Sequence, residues 1–436
     1  MIGCPVYEGG FTLTTHSIRP LLAVGLSLGV VAGLAGATTG SANAAASVDR
    51  VSEATGGEQA DAASFDAVPS GDGRYVAFTS VANNLSPLDT NSFQADAYVR
   101  DRTTGATELI SLGTGGAASG GTVTDISADG RYVVFTSAAA DLVANDFNGA
   151  NDVFIRDRVA NTTEIVSVDS DESAAQLSSY DASVSKDGRY VAFTSMASLA
   201  PEDSSSSNQD VYVRDRTEGT TRLVTVTRKG GEGGGKQPSI SDNGRFVSFT
   251  SKSGQLVKGD KNKLHDVFVR EIAKGRTERV SVSSKGAEAT KRSYESQIAG
   301  PGRFVVFTSM AKNLSKKDKN RKVDVFVHDR RKDKTELVSV DSAERQAGGP
   351  VVTPSISADG RYVTFNAALD LRKGGRVTDS LYVRDRAAGT TSPLAPGVLK
   401  GAVLSGDGKV VTFGASRSTV VQPDTNNALD VFALTR

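Results

Sequence analysis

Four residues that can bind cations or move protons recur at one position of a repeated pattern. Asp66, Asp181, Gln237 and Glu295 each stand seven residues before a glycine that closes the same short motif. Carboxylates that converge bind a cation, or they raise the pKa of one member because neighbouring like charges disfavour ionisation. These residues therefore predict a ligand-binding site or an acidic catalytic site. The alternative is an ordinary hydrated rim.

A second pattern, Asp-x-Asn-x-x-x-Asp, supplies candidate metal ligands. Alternating oxygen ligands followed by another carboxylate resemble part of a calcium loop. Against calcium, no Glu completes the coordination sphere, and lysines lie inside two of the copies. The alternative is that Asp and Asn form turns and cap backbone amides. The residues concerned are Asp146, Asn148, Asp152, Asp260, Asn262, Asp266, Asp318, Asn320, Asp324, Asp424, Asn426 and Asp430.

Positive charge is concentrated in one stretch of a chain whose formal net charge is zero. Residues 229–334 hold 25 Lys and Arg against 12 Asp and Glu, a net +13, which the rest of the chain balances. Such a patch attracts an anionic polymer or lipid headgroups outside the cell, and the alternative is a solvated face that keeps the protein soluble. Aromatic residues do not interleave with the lysines, which argues against nucleic acid. The patch is Lys258, Lys261, Lys263, Lys316, Lys317, Lys319, Arg321 and Lys322.

Signatures of catalysis are missing from the sequence. Its one Gly-x-Ser-x-Gly match, Gly25 to Gly29, lies inside the apolar run 21–37, and it has no phosphate-binding Walker loop and no His-Glu-x-x-His pair. One Cys (Cys4) and three His (His16, His265, His328) leave little for thiolate, histidine or zinc chemistry. The sequence therefore favours a non-catalytic protein.

Internal repeats organise all of these residues. The motif Ser-x-Asp-Gly-Arg-Tyr-Val-x-Phe-Thr-Ser occurs in seven versions, about 57 residues apart. Each is followed by a version of Asp-Val-Phe/Tyr-Val-Arg-Asp-Arg, and most are then followed by a version of Thr-Glu-Leu-Val-Ser. The first motif begins at Ser70, Ser127, Ser185, Ser241, Ala299, Ser357 and Ser405.

The repeat predicts four strands, a to d, in each unit. Its segments alternate and are rich in Val, Ile, Phe and Tyr, and the Asp-Gly pair is a hairpin signal. Four antiparallel strands repeated without helices predict a seven-bladed β-propeller over residues 45–436. The last unit lacks strand d, whereas Val48 to Ser52 resembles one. The N-terminal strand is therefore expected to complete the last blade and close the ring.

The two motifs resemble the WD-repeat-like repeats of the TolB-type propeller family. That family's signature is Ser-Pro-Asp-Gly-x-x-Ile-Ala-Phe followed by Asp-Ile-Tyr-Val, and the match here runs through residues 48–436. The resemblance implies the propeller fold. It does not imply a particular function, because one fold serves many functions.

The first 44 residues have the layout of a secretory signal peptide. Arg19 precedes the apolar run 21–37, and Ser41-Ala42-Asn43-Ala44 is a small-residue cleavage pattern. Alternatives are a retained membrane anchor and a translation start later than Met1.

Together these features predict an exported, monomeric binding or scaffold module of the cell surface or envelope. Its partner would be a protein or an anionic envelope polymer, not nucleic acid, and no membrane-spanning segment would remain after cleavage. The alternative is a carbohydrate-active or other hydrolytic enzyme that uses the acidic residues of the propeller channel.

Overall fold

The computed structural model describes residues 47–144, 146–204, 208–349, 351–367, 380–396, 400–416 and 420–436. The predicted signal peptide, residues 1–44, lies outside these ranges. Residues 45–436 form one compact unit of seven four-stranded antiparallel sheets. The predicted seven-bladed β-propeller is confirmed.

The strands follow one another in chain order, a to d, within the first six blades. Blades 1 to 3 comprise β2 (Ser64–Pro69), β3 (Tyr75–Ser80), β4 (Asp96–Asp101), β5 (Ala106–Leu109); β6 (Thr122–Ile126), β7 (Tyr132–Ser137), β8 (Asp152–Asp157), β9 (Thr162–Ile165); β10 (Ser179–Val184), β11 (Tyr190–Ser195), β12 (Asp210–Asp215) and β13 (Thr220–Leu223). Blades 4 to 6 comprise β14 (Lys236–Ile240), β15 (Phe246–Ser251), β16 (Asp266–Glu271), β17 (Arg276–Arg279); β18 (Ser293–Ala299), β19 (Phe304–Ser309), β20 (Asp324–Asp329), β21 (Lys334–Leu337); β22 (Val351–Ile356), β23 (Tyr362–Ala367), β24 (Ser380–Asp385) and β25 (Thr390–Pro396).

Blade 7 joins the two ends of the described chain. It comprises β26 (Lys400–Leu404), β27 (Val410–Ala415), β28 (Asp430–Thr435) and the N-terminal β1 (Ser47–Arg50). β1 pairs antiparallel with β28, with Val48 opposite Leu434. The predicted closure is confirmed, and it covers the edge that β28 would otherwise expose.

The core lies between the blades and is built from strands b and c. In each blade, one aromatic residue of strand b stacks on its cross-strand partner in strand c. Phe135 and Phe154, for example, have ring centroids 5.7 Å apart and are fully buried. Such stacked pairs stabilise the fold beyond the contribution of the large area that the rings bury. The repeated Phe-Thr-Ser and Asp-Val-Phe segments therefore bury one layer of aromatic residues in every blade.

The innermost strand of each blade is interrupted near its beginning. In blade 1 the pairing with β3 passes from Phe65–Thr79 directly to Val68–Ala77. The residues between them form a bulge, which turns side chains out of the regular alternation. Comparable register shifts occur in all seven innermost strands. In the described ranges, no helix is both long and apolar enough to cross a membrane.

Candidate functional site

Strand order sorts the connections onto two faces. The a–b and c–d turns lie on one face, here called the turn face. The long b–c and d–a connections lie on the other, here called the loop face. Strand a begins after a d–a connection, and strand b ends before a b–c connection. The first residues of strand a therefore lie at the loop-face end of the channel.

At the turn face, the a–b turns surround the channel as a chain of backbone hydrogen bonds. The amide of Gly71 donates to the carbonyl of Ala128 at 2.9 Å, and the amide of Ala128 donates to Lys186 at 3.2 Å. The chain continues through Asp242 to Gly300. In blades 6 and 7, the Ala358 amide donates to Gly406 and the Asp407 amide to Gly71, each at 2.9 Å. These contacts join neighbouring blades and use backbone groups that a ligand would otherwise address.

Deeper in the channel, side chains of strand a bind the next blade. The Asp125 carboxylate accepts hydrogen bonds from the Val184 amide at 2.8 Å and the Ser183 hydroxyl at 3.1 Å. Burial raises the pKa of Asp125 to about 6. Equivalent contacts to the following blade are made by Ser183, Ser239, Gln297 and Ser355. Asp125 was not among the sequence predictions, although it places an acid where most copies have Ser or Gln.

The predicted channel residues come together at the loop-face mouth. Asp66, Asp181, Gln237 and Glu295 all line one cavity of about 410 Å³. Each is the first residue of a strand-a bulge and has a φ between 51° and 55°. Non-glycine residues seldom adopt this left-handed conformation, and strain of this kind concentrates at functional sites. The arrangement agrees with the sequence-based placement, while the ligand-binding role stays a prediction.

The mouth is acidic, and its carboxylates differ in their surroundings. Desolvation raises the pKa of Asp181, opposed by the nearby positive charge of Lys236 and a hydrogen bond from the Gln237 amide. The Glu295 carboxylate accepts hydrogen bonds from the Thr353 amide at 3.3 Å and the Thr308 hydroxyl at 3.4 Å. A cationic group entering the mouth would meet carboxylates held at defined positions.

In the b–c loops, the candidate metal ligands have hydrogen-bond partners within the protein. The Nδ2 atom of Asn148 donates to Asp152 at 2.7 Å and to the Ala175 carbonyl at 2.5 Å. Its Oδ1 atom accepts from the Ala150 amide at 2.6 Å. Asn262 repeats this arrangement with Asp266 at 2.7 Å. In these two loops the amide nitrogen of the Asn points at the carboxylate, where a shared cation would require an oxygen.

The final Asp of the pattern begins strand c and is buried in each copy. It accepts a short hydrogen bond from a hydroxyl of strand d or the segment that follows: Asp152 from Ser167 at 2.5 Å, and Asp324 from Ser339 at 2.7 Å. Burial raises the pKa of these carboxyls to about 6 in Asp152, Asp210, Asp266 and Asp324, and raises it in Asp96 and Asp430.

Two further side chains contact the carboxylates of individual loops: a cationic one, Arg279, and a neutral one, Gln346. Arg279 Nη1 lies 3.4 Å from Asp260 and 3.7 Å from Asp266. Gln346 donates to both Asp318 and Asp324 at 2.8 Å. Over the ranges given above, no group of three or more His, Cys, Asp or Glu is placed to hold a metal ion. These contacts favour the turn-forming interpretation, and the calcium alternative stays a prediction.

The basic patch lies where the sequence placed it, in the adjacent b–c loops of blades 4 and 5. All eight side chains are exposed. Lys317 pairs with Glu344 at 2.8 Å, with both side chains largely exposed, so the pair holds that lysine weakly. Lys263 and Arg321 have φ values of 55° and 65°, at a loop position taken by Gly149 in blade 2. The loops thus carry basic side chains even where glycine would be less strained.

Comparisons with known proteins agree on the fold. The β-propeller domain of the Trilobed protease from Pyrococcus furiosus matches with a TM-score of 0.54 at 13% identity, covering 85% of this chain and 95% of that chain. TolB from Acinetobacter baumannii matches with a TM-score of 0.42 at 13% identity, covering 78% of this chain and 76% of that chain. Acylaminoacyl peptidase from Pyrococcus horikoshii matches with a TM-score of 0.49 at 13% identity, covering 82% of this chain and 50% of that chain.

These similarities are structural. No protein-family model matches the chain, and no curated protein matches it in sequence. The propeller fold that the resemblance implies is confirmed by the seven four-stranded sheets and by the match to the Trilobed protease propeller domain. At 13% identity this likeness shows the fold and does not select a function.

Proposed function

We propose that this chain is an exported, non-catalytic propeller that binds a protein or an anionic envelope polymer on its loop face. The observation that carries the proposal is the placement of the basic patch. Two adjacent blades present eight exposed cationic side chains on the face where the channel also opens. Export is supported by the apolar segment 21–37 with its small-residue cleavage pattern.

The contrast between the faces supports the assignment. Turn-face arginines such as Arg131 and Arg303 make paired hydrogen bonds with Asp157 and Asp329 at 2.6 to 3.1 Å. Those charges join strands b and c within one blade. Cations of the loop-face patch project into solvent, where they attract an oppositely charged partner and accelerate its encounter.

The test compares two charge-reversal variants of equal charge on opposite faces. The loop variant carries Lys258→Glu, Lys316→Glu, Lys319→Glu and Lys322→Glu. The turn variant carries Lys186→Glu, Arg331→Glu, Lys332→Glu and Lys334→Glu, all at exposed positions. Retention on immobilised polyglutamate and on a sulfated polysaccharide is measured against salt, because attraction between exposed charges is screened.

We expect the wild-type and turn variants to be retained at low salt, and the loop variant to bind at least about tenfold more weakly. Equal loss of retention in both variants would show that net charge alone determines binding, which would contradict the assignment to the loop face. No retention of the wild-type protein on either polymer would exclude an anionic partner.

A second candidate function rests on the acidic mouth. Asp66, Asp181 and Glu295 line one cavity, and desolvation raises the pKa of Asp181, as a general acid requires. A hydrolase would lose turnover of glycoside or ester substrates in Asp181→Ala with its melting temperature preserved. Under the binding proposal, neither the wild-type protein nor this variant turns over any of them.

A further inference from the structure

A separate cavity of about 760 Å³ lies on the loop face between blades 3 and 4. Lys236, Lys252, Lys263 and His265 of blade 4 line it, with Gln209 of blade 3 opposite. Lys236 is half-buried, whereas Lys252 and Lys263 are exposed. Only Lys263 belongs to the basic patch, so this cavity, here called the blade 3–4 pocket, is a different cluster of groups.

The basic groups of the pocket stand at separate positions of the repeat, each of which varies between blades. Lys236 pairs with Thr250, at a position that is aromatic in three other blades (Phe65, Tyr180 and Tyr294) and Thr122, Val352 or Lys400 in the remaining three. Lys252 follows strand b, where other blades have small or apolar residues: Val81, Ala138, Met196 and Met310. His265 stands just before the buried Asp266. Basic residues distant in sequence thus line one cavity, which a uniformly solubilising surface does not require.

Positive charges around His265 affect the pKa of its imidazole. Its pKa is lowered, first by burial and then by the charges of Lys236, Arg292 and Lys252. Lys263 also faces the cavity, and Glu232 is the acid that lines it. Asp181, at the neighbouring channel mouth, interacts with Lys236. The cations outnumber the acids, so an anion entering the pocket relieves repulsion among groups already assembled there.

We propose that the blade 3–4 pocket binds a multiply charged oxyanion of the phosphate or sulfate type. Lysine ammonium groups bind such groups as point charges. The hydroxyl-bearing Ser253 and the amide-bearing Gln209 and Gln255 add neutral hydrogen-bond donors around the cavity. This inference rests on the proposed function and gives its loop-face partner a chemical class: a partner that carries esters of this kind.

The test measures binding of tripolyphosphate to the full exported chain by calorimetry at constant ionic strength. The pocket variant is Lys236→Gln with Lys252→Gln. The matched control is Lys332→Gln with Lys334→Gln, which removes the same charge from the turn face. We expect the pocket variant to bind at least about tenfold more weakly and the control to match the wild-type protein. Equal affinities in all three proteins, or no binding to the wild-type protein, would overturn the proposal.

A second readout uses the imidazole of His265. Its NMR titration should shift to a higher pKa when tripolyphosphate is bound, because the anion stabilises the imidazolium. An unchanged titration at saturation would place the anion elsewhere. The same titration with inorganic sulfate and with a sulfated oligosaccharide distinguishes a free oxyanion from an ester carried by a polymer.

The two proposals fail separately. If the pocket variant loses tripolyphosphate but is still retained on polyglutamate, the blade 3–4 pocket and the basic patch are independent sites. If the pocket variant behaves as the wild-type protein while the loop variant loses retention, the pocket proposal is wrong and the proposed function stands.

Discussion

Strand c begins and ends with an acidic residue in most blades, and the two acids have opposite properties. In β8 these are Asp152, towards the loop face, and Asp157, towards the turn face. Burial raises the pKa of Asp152 to about 6. The pKa of Asp157 is lowered, chiefly by hydrogen bonds from the Arg131 guanidinium. Five residues along one strand therefore separate a carboxyl that resists ionisation from one that favours it.

The partners explain the difference. Asp152 is fully buried among neutral donors, Ser167 and Asn148, which offset only part of the loss of hydration. Asp157 faces the turn, where Arg131 reaches it through Nε at 2.9 Å and Nη2 at 2.6 Å. A charged, bidentate partner favours the ionised form more than two neutral donors do. A carboxylate in this repeat can thus organise a loop without an ion pair.

The largest expected effect is on stability as a function of pH. The pKa of the loop-side aspartates is higher in the folded state, about 6, than the ordinary value of about 3.9. The folded state then binds more protons, so stability rises as pH falls from about 7 to about 4. The lowered pKa of Asp101, Asp157 and Asp385 gives the opposite sign, and their contribution is lost as pH falls below about 4.

We therefore expect the urea midpoint of unfolding to be highest between about pH 4 and pH 6. Burial lowers the pKa of His265 and His328, which opposes the trend below about pH 6.5, but these are two groups against the ring of aspartates. A midpoint that falls steadily from pH 7 to pH 4 would contradict the account of the loop-side aspartates.

The second largest effect is expected when a loop-side aspartate, the acid that begins strand c, is removed. Asp152→Ala removes the acceptor of Ser167 and Asn148 and leaves buried donors unsatisfied, which should reduce the free energy of unfolding by about 3 kcal/mol. Urea unfolding at pH 7 measures this. Asp171→Ala, an exposed aspartate of the same blade, is the control for charge and should change stability by less than about 0.5 kcal/mol. Equal effects would show that burial does not govern the aspartate's contribution.

A smaller loss is expected at the turn end of the same strand. Asp157→Ala removes the Arg131 pair and two backbone caps, from the amides of Val159 and Ala160 at 2.9 and 3.0 Å. Because Arg131 is partly exposed and can be hydrated, the expected loss is about 1.5 kcal/mol. High salt should reduce this difference and leave that of Asp152→Ala unchanged. A loss larger than that of Asp152→Ala would reverse the comparison.

In most blades the turn-side acid of strand c is followed by an arginine that contacts the preceding blade. Arg158 lies over the Tyr75 ring of blade 1 at 4.7 Å, bonds Glu108 at 2.8 Å and donates to the Gly130 carbonyl at 2.7 Å. Arg216, Arg330 and Arg386 repeat this arrangement at other boundaries. Each arginine thereby joins its own blade to the preceding one.

The boundary between blades 3 and 4 departs from this arrangement. Ile272 occupies the arginine position, and Arg222 occupies the position of Glu108 and Glu164 opposite it. A cavity of about 280 Å³ opens there, lined by Tyr190, Ile272 and Arg222. Both members of the ion pair are thus exchanged, and the Tyr190 ring has Arg189 on one side at 4.8 Å.

Sequence patterns predicted the repeated features well and the convergent ones poorly. The hairpin glycines, the Val-x-Phe alternation and the match of Val48 to Ser52 with a strand d were sufficient for the seven blades and their closure. The spacing before each glycine also placed Asp181 and Glu295 at the channel mouth. These inferences needed only local periodicity.

What the sequence did not predict depends on three-dimensional environment. Asp152 and Asp157 look alike in the string Asp-Val-Phe-Ile-Arg-Asp, because their desolvation is decided by neighbouring strands. Lys236 and Lys252 meet only through the pairing of β14 with β15. The left-handed conformation of Glu295 follows from a bulge, which single-sequence alternation does not indicate. The exchange of Ile272 and Arg222 was visible as a departure from the repeat, although its consequence required the blade boundary.

The smallest expected effect is a gain at that boundary. Ile272→Arg together with Arg222→Glu recreates the pair seen between blades 1 and 2 and adds an arginine over Tyr190. We expect the double variant to be more stable by about 1 kcal/mol, from a cation–π contact and a partly buried ion pair. Each single variant should gain less, since Ile272→Arg alone meets Arg222 and Arg222→Glu alone meets Ile272. A double-mutant cycle by urea unfolding isolates the coupling. Zero coupling would mean that the arginine contacts at the other boundaries add little to stability, and that loop-side burial provides most of the polar contribution.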